Sequence, residues 1–242
     1  MRFNLARGKS TRIFSNEFQI RRSELIGRLK TVLFSPEDLS LIKGSPNLRR
    51  RFLDIELSQA SPRYYRDLID YRKVIDARNL ILKKIREKSS RKLHDMLDVW
   101  DEQFVTLANR IVQRRIEATQ RFSTIATEFH SQISGGKDLK IEYHVHGSRG
   151  KIENYEEWIR SQIKTNRDNE ILRGSTEIGS HRDDLRFSIN DVSAKNFSSQ
   201  GQQRTAALSI KLSELEFLKT ARGEYPLLLL DDVMSELDAD RR

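Results

Sequence analysis

"PLLLLDDVMSELDADRR", Pro226 to Arg242, is the stretch on which the reading of the whole chain turns. Four consecutive leucines, Leu227 to Leu230, leave a strand with no polar face, so both of its sides are expected to be buried, as in a parallel sheet. Two carboxylates follow at once. Acids at the carboxyl end of such a strand stand where open α/β sheets bind their ligands. There Asp231 would hold a magnesium ion through water, and Asp232 would orient or polarise an attacking water. Strand-end acids also cap helices, so the pattern needs company.

Company stands upstream in "FSSQGQQRTAALSIKLSELE", Phe197 to Glu216. Ser198, Ser199, Gln200, Gly201 and Gln202 come directly before a helix expected from Gln202 to Ala221, patterned by Leu208, Leu212, Leu215 and Leu218. A Ser/Gly turn at a helix start offers free backbone N–H groups and the positive end of the helix dipole to an anion. It is also an ordinary helix cap. The conjunction of turn, helix, leucine strand and Asp231-Asp232 is rarer than any of its parts.

Composition sets the class. The chain has 242 residues, 33% charged and 37% hydrophobic, which suits a globular protein with much exposed helix. Its formal net charge of +9 favours an acidic partner such as nucleic acid, although a solvated basic surface gives the same number. With no cysteine, disulfides and thiolate metal sites are excluded and a reducing compartment fits. No apolar run reaches membrane-spanning length and the N-terminus shows no signal-peptide core, so a cytosolic location is expected.

Along the chain, Met1 to Arg22 reads as a small antiparallel meander turning at "SNE" (Ser15 to Glu17). A chain seldom opens in mid-sheet, so a missing N-terminal portion is expected. Thr31 to Phe34 reads as a strand. Ser35-Pro36, with Asp38 in the capping-box position and Gly44 as the stop, starts a helix; Ser45-Pro46 and Ser61-Pro62 repeat the signal. Helical spacing then runs from Pro62 to about Arg86 and, with no Gly or Pro between Glu87 and Ser134, through a second helix of roughly forty residues, about 60 Å long. The two are expected to fold back antiparallel as an arm. Between Arg49 and Phe122 there are 18 Lys/Arg against 11 Asp/Glu, an excess of 18 − 11 = 7. Arg49, Arg50 and Arg51, together at the base of the arm, are the candidate DNA contacts. After the arm, "LKIEYHVH" (Leu139 to His146) alternates as a strand, "NYEEWIRSQIKTNRDNEI" (Asn154 to Ile171) is helical and "DLRFSIND" (Asp184 to Asp191) is a further strand. The order is sheet, helical arm, sheet.

"ARGKST" (Ala6 to Thr11) imitates the tail of a phosphate-binding loop. Five residues before Gly8, where that loop requires glycine, stands Phe3, and the flanks read as strand and turn rather than strand and helix. It is read as a hairpin, and no other G-x-x-x-x-G-K-S/T occurs in the sequence.

"SSQGQQR" (Ser198 to Arg204) resembles the signature motif of the ATP-binding-cassette and chromosome-maintenance ATPases, and "LLLLDDVMSELDADRR" their Walker B strand and D-loop. More narrowly, "FSPEDLSLIKGSPNLRRRFLD" (Phe34 to Asp54), "GSHRDDLRF" (Gly179 to Phe187) and "SSQGQQRTAALSIKLSE" are similar to the RecF family of bacterial DNA replication and repair proteins, in the family's order and over essentially the whole chain. The resemblance implies an α/β ATPase head of the P-loop type, incomplete here and interrupted by the helical arm. Residues 1–45 would belong to the head, 46–135 to the arm, and 136–242 to the head with signature motif, Walker B strand and D-loop. Such heads dimerise around two ATP molecules with Mg2+. Ser199 and Gly201, within the turn that includes Gln200 and Gln202, would contact the γ-phosphate bound to the other subunit. Asp231 and Asp232 would act in their own subunit, and Asp238 would lie across the seam. Gln200 replaces the first glycine of the commoner LSGGQ form.

The family's P-loop lies upstream of Met1 and its switch histidine downstream of Arg242, so the sequence resembles an internal fragment. Its 242 residues are expected to show no ATP turnover on their own. The implied role is ATP-gated, sequence-indifferent binding of double-stranded DNA near single-strand gaps. A RecR-type mediator is the implied partner, with recombinase loading and the SOS response downstream and a nucleoid-associated cytosolic location. Two other readings stay open: a non-enzymatic helical DNA- or protein-binding module with a structural acidic C-terminus, and a magnesium-dependent nuclease. The role of His181, Arg182, Asp183 and Asp184 is not derivable from the sequence; a lone histidine beside Arg and Asp is more often a structural hydrogen-bond partner than a metal ligand.

Overall fold

A computed structural model of the chain describes residues 2–4, 12–150, 152–221 and 223–231. The opening meander is β1 (Arg2–Asn4), β2 (Arg12–Ser15) and β3 (Phe18–Ile20), paired antiparallel in that order. Asn16 and Glu17 both take left-handed φ, 48° and 70°, the two-residue turn whose twist matches a hairpin. Gly8-Lys9-Ser10 lies outside the described residues, between two strands paired antiparallel rather than between a strand and a helix.

After α1 (Arg22–Leu25) come β4 (Thr31–Phe34), a single 3-10 turn at Pro36–Asp38, α2 (Leu39–Lys43), α3 (Pro46–Ala60) and α4 (Pro62–Glu87). All three Ser-Pro starts sit at element boundaries. The Ser35 N–H donates to the Asp38 carboxylate at 2.9 Å and the Tyr64 N–H to Ser61 Oγ at 3.4 Å, while Pro36, Pro46 and Pro62 occupy first-turn positions whose missing N–H costs nothing.

Helix α5 (Arg91–Ser134) has 44 residues, about 66 Å at 1.5 Å per residue. It runs antiparallel to α4: Ile85 and Ile81 meet Leu97, Arg78 meets Asp101, Tyr71 stacks on Phe104, and Tyr64 meets Arg115. Beyond Arg115 the helix outruns α4 and enters the sheet-bearing part of the molecule. There it is covered by β5 (Leu139–His144) and α8 (Gln200–Thr220), with Phe122 stacked on Phe217 at 4.2 Å and Ser123 Oγ accepting the Ile141 N–H at 2.9 Å. One buried apolar cluster consequently extends from Val32 through Phe104 and Ile159 to Leu218. Between β5 and α8 lie α6 (Tyr155–Arg173), β6 (Asp184–Ile189), β7 (Val192–Ser193) and α7 (Ala194–Phe197); β5, β6 and β7 form an antiparallel sheet.

The last strand, β8 (Leu227–Leu230), pairs in parallel with β4, Val32 opposite Leu228 and Phe34 opposite Leu230. The parallel pairing expected of the leucine strand is therefore present. Its burial is not: the four leucines are 43–60% exposed. Among the described residues β8 has one strand neighbour, β4, and burial on both faces requires a covering layer on each side. Helix α8 lies antiparallel to β4, since Lys30 Nζ reaches the Leu218 carbonyl at 2.8 Å while Lys211 Nζ sits 5.7 Å from the Phe34 ring. The carboxyl ends of β4 and β8 and the N-terminus of α8 therefore point to the same end of the fold.

Candidate nucleotide site

The N-terminal turn of α8 is a closed capping box. Ser199 Oγ accepts the Gln202 N–H at 3.3 Å, and Gln202 Oε1 accepts the Ser199 N–H at 2.8 Å. Gln202 thus spends its carbonyl oxygen holding the turn. The N–H groups of Gln200 and Gly201, at the first two helical positions, have no intrahelical acceptor and point along the helix axis with the positive dipole end. Ser199, Gln200 and Gly201 are exposed, and nothing lies within 4 Å of where a Cβ on Gly201 would be. Buried Gln203 anchors the turn from below by donating to the Ala194 carbonyl at 3.0 Å. The result is a capped turn whose first helical N–H groups are open to solvent.

At the strand end, the Asp231 N–H donates to the Phe34 carbonyl at 2.9 Å, extending the parallel ladder by one bond. The Asp231 carboxylate is exposed there. Asp232 and Asp238 lie outside the described residues. Helical rise from Lys211, whose ammonium lies beside Phe34, to Gly201 is about 15 Å, so the turn and the strand end belong to one helix–sheet layer.

The three arginines at the base of the arm part company. Arg49, 5% exposed, forms a bidentate pair with Asp184, Nε–Oδ1 and Nη2–Oδ2 both 2.8 Å. Half-buried Arg50 donates to the Asp183 carbonyl at 2.6 Å and to Asn47. Of the three, Arg51 alone is exposed.

The same contacts give "HRDD" its place. Asp183 accepts from the Tyr143 hydroxyl at 2.6 Å and the His146 N–H at 2.9 Å. His181 Nε2 lies 3.2 Å from the Thr176 carbonyl and must donate to it, so Nδ1 accepts from the Tyr71 hydroxyl at 3.1 Å. Burial, with Arg182, Arg50 and Arg115 nearby, pushes its pKa down to about 4 and keeps it neutral. It is a structural partner, as the sequence favoured. Beneath it Arg115, 2% exposed, donates to Asp54 at 2.7 Å, Tyr64 at 3.0 Å, Tyr143 at 3.3 Å and the Ser180 carbonyl at 2.5 Å. Sequence reading did not single out Arg115. Its signal was an arginine on the stripe of Ile111, Val112, Ala118 and Phe122.

A parallel strand pair ending in an acid, a helix returning antiparallel over it from a capped Ser-Gln-Gly turn, and a long antiparallel helical pair between the sheets define an ATPase head of the ABC/SMC-like type carrying a helical arm. Searched against family models, the chain matches none. Among curated proteins it is 45% identical over 229 residues to the DNA replication and repair protein RecF of Halothermothrix orenii, covering 93% of this chain and 61% of that protein. It is 43% identical over 241 residues to the RecF of Shouchella clausii, covering 98% and 64%. Among solved structures, the recombination mediator protein RecF with ATP superposes with a TM-score of 0.89 at 36% identity, covering 98% of this chain and 64% of that one. The same mediator described with ATPrS gives 0.87. The chain is similar to RecF along nearly all of its length, and it spans a little under two thirds of the relatives it matches.

Proposed function

We propose that the chain carries two half-sites of an ATP-gated, DNA-binding repair ATPase of the RecF kind. The observation that carries this reading is the antiparallel course of α8 over β4. It directs the Ser199 turn and the strand-end acid toward one end of the fold, which supports a reading in which each half-site is completed by a second copy. RecF solved with ATP supports the choice of nucleotide.

The residues fit such a ligand: two uncommitted N–H groups and a hydroxyl on one side, an exposed carboxylate on the other. In the dimer, Ser199, Gln200 and Gly201 bind and orient the terminal phosphate of the partner's nucleotide, while Gln202 holds the turn in shape. Asp231 holds water of the Mg2+ shell, Asp232 positions the attacking water, and Asp238 lines the seam. ATP with Mg2+ supplies the phosphoryl group and the charge that draws the halves together. The head comprises 1–45 and 136–242, with 46–135 as its arm. No G-x-x-x-x-G-K-S/T stands within these 242 residues, and the chain by itself should not turn over ATP. A net charge of +9, with Arg51 free at the surface, suits phosphate-dominated contact with gapped duplex DNA. By likeness to RecF, a RecR-type mediator is the protein partner.

Subunit mixing tests this reading in a form of the protein that hydrolyses ATP. Ser199→Arg and Asp232→Ala homodimers should each be inactive. Their mixture should recover activity, because about a quarter of all sites are then intact. Two inactive variants that stay inactive when mixed would refute the composite site.

A further inference from the structure

We propose that Lys211 is a positioning residue. Its buried ammonium ties the helix bearing the Ser199 turn to the strand end bearing Asp231, with the buried carboxyl groups of Glu56 and Glu214 behind it. The bearing of this joint on nucleotide rests on the function proposed above; the joint itself does not.

Lys211 is 8% exposed, halfway along α8. Its Nζ lies 2.7 Å from Glu214 Oε2, 3.7 Å from Asp38 Oδ1 and 5.7 Å from the Phe34 ring centre. Phe34 is the residue whose carbonyl fixes the Asp231 N–H, and Asp38 is the residue whose other oxygen caps the Ser35 N–H at 2.9 Å. One cation therefore grips both sides of the turn that leaves β4. The other end of β4 is held through Glu56: Gln59 donates to Glu56 Oε1 at 3.3 Å and accepts the Thr31 N–H at 2.7 Å.

Asp38, Glu56 and Glu214 surround one ammonium on the wall of a cavity of about 1,130 Å³. Glu56 and Glu214 are 3% and 1% exposed, and Glu56 Oε2 and Glu214 Oε1 are buried without a hydrogen-bond partner. Lys211, paired with Glu214 and near Asp38, is the compensating charge. One cation cannot offset two buried carboxylates and the half-buried Asp38. Burial pushes Glu56 up to about 8 against the opposing pull of Lys211 and Gln59. Glu214 is driven well up by burial and by Glu56, against Lys211. At neutral pH Glu56 keeps its proton; as pH rises through 8 it loses it, and the added negative charge pulls on the ammonium that holds Phe34 and Asp38.

The test is site-resolved amide hydrogen exchange on the 242-residue chain without nucleotide, from pH 6 to 9, corrected for intrinsic rates. Lys211→Met should speed exchange at Asp231 by on the order of tenfold relative to amides of the α4–α5 pair, and Lys211→Arg should restore most of the protection. In the unsubstituted chain, protection at Asp231 should weaken across pH 8, and Glu56→Gln should remove that inflection. A uniform change along the chain, or none at Asp231, would make Lys211 merely structural and overturn the proposal. Should Lys211→Met not fold, a pH profile unaltered by Glu56→Gln overturns it equally. Because nucleotide is absent, failure here is separate from failure of subunit mixing.

Discussion

Replacing Arg78 by methionine probes the joint between the arm and the rest of the molecule. The guanidinium is 1% exposed and serves three elements: Nε to Asp101 on α5 at 2.7 Å, Nη2 to Glu170 on α6 at 2.9 Å, and Nη1 to Thr176 at 2.7 Å. Methionine fills most of the volume, so the cavity contribution is small. The cost comes from the acids left behind. Asp101 retains Arg167 at 3.3 Å, but Glu170, wholly buried, retains only the Glu177 N–H at 2.8 Å. Stranding one member of a buried pair costs about 3–5 kcal/mol. Equilibrium urea unfolding at pH 7 should show that loss as a lower midpoint at unchanged slope. Glu170→Gln removes the stranded charge, so the Arg78→Met/Glu170→Gln double variant should recover about 1–2 kcal/mol relative to Arg78→Met alone. A loss below about 1 kcal/mol for Arg78→Met, or a double variant no better than the single one, would refute this account of the joint.

The remaining predictions address the site and its surroundings. Ser199→Asp keeps an N-cap acceptor but sets a negative charge where phosphate must come, so thermal stability should hold while ATP-dependent dimerisation, read by light scattering, is lost; Ser199→Ala should instead cost about 1 kcal/mol of stability. His181 is neutral in the fold, its pKa depressed from 6.5 to about 4, while the unfolded chain takes up that proton below 6.5. Its contribution is therefore complete above pH 6.5 and lost as pH falls toward 4, roughly 3 kcal/mol in all. His181→Gln should flatten that acid limb in a pH series of denaturant midpoints. Arg51→Glu should weaken DNA binding at low salt and lower the slope of log K against log salt by about one. Arg49→Ala should show its loss in stability, because its charge is bound to Asp184.

What the sequence revealed and what it concealed divide by range. Ser35-Pro36, Ser45-Pro46 and Ser61-Pro62 were legible because a cap and a pre-set φ act within four residues, and α5 because its periodicity and lack of Gly or Pro are local properties. Arg49–Asp184 and Arg78–Glu170 join residues 135 and 92 positions apart, and no local pattern announces them. Arg78 did leave a trace, an arginine on the same stripe as Val74, Ile81, Leu82 and Ile85. Reading Arg49 to Arg51 as one basic patch ignored helical geometry, in which adjacent residues point about 100° apart. The leucine strand was legible as a parallel strand because its composition fixes that, whereas its burial depends on neighbours that composition does not supply.

Geometry also bears on why such a machine would be built from two copies. Within one chain the Ser199 turn stands about 15 Å along helix α8 from Lys211, the residue beside Phe34. On the proposed reading the helix is a fixed spacer, and the nucleotide is enclosed by bringing two subunits together. A twofold axis solves the problem twice over, because placing one turn against the other copy's strand end places the second pair as well. Closure, on that reading, is a property of the dimer, and the γ-phosphate is the group whose presence or loss decides it. On the proposed reading, a residue that stiffens the path from turn to strand end inside each subunit raises the cost of a half-closed dimer. Lys211 lies on that path, touching the turn that follows β4 from the middle of α8. Softening it should therefore weaken the correlation between the two sites before it weakens nucleotide binding at either one, seen as a Hill coefficient falling toward one while half-saturation changes little.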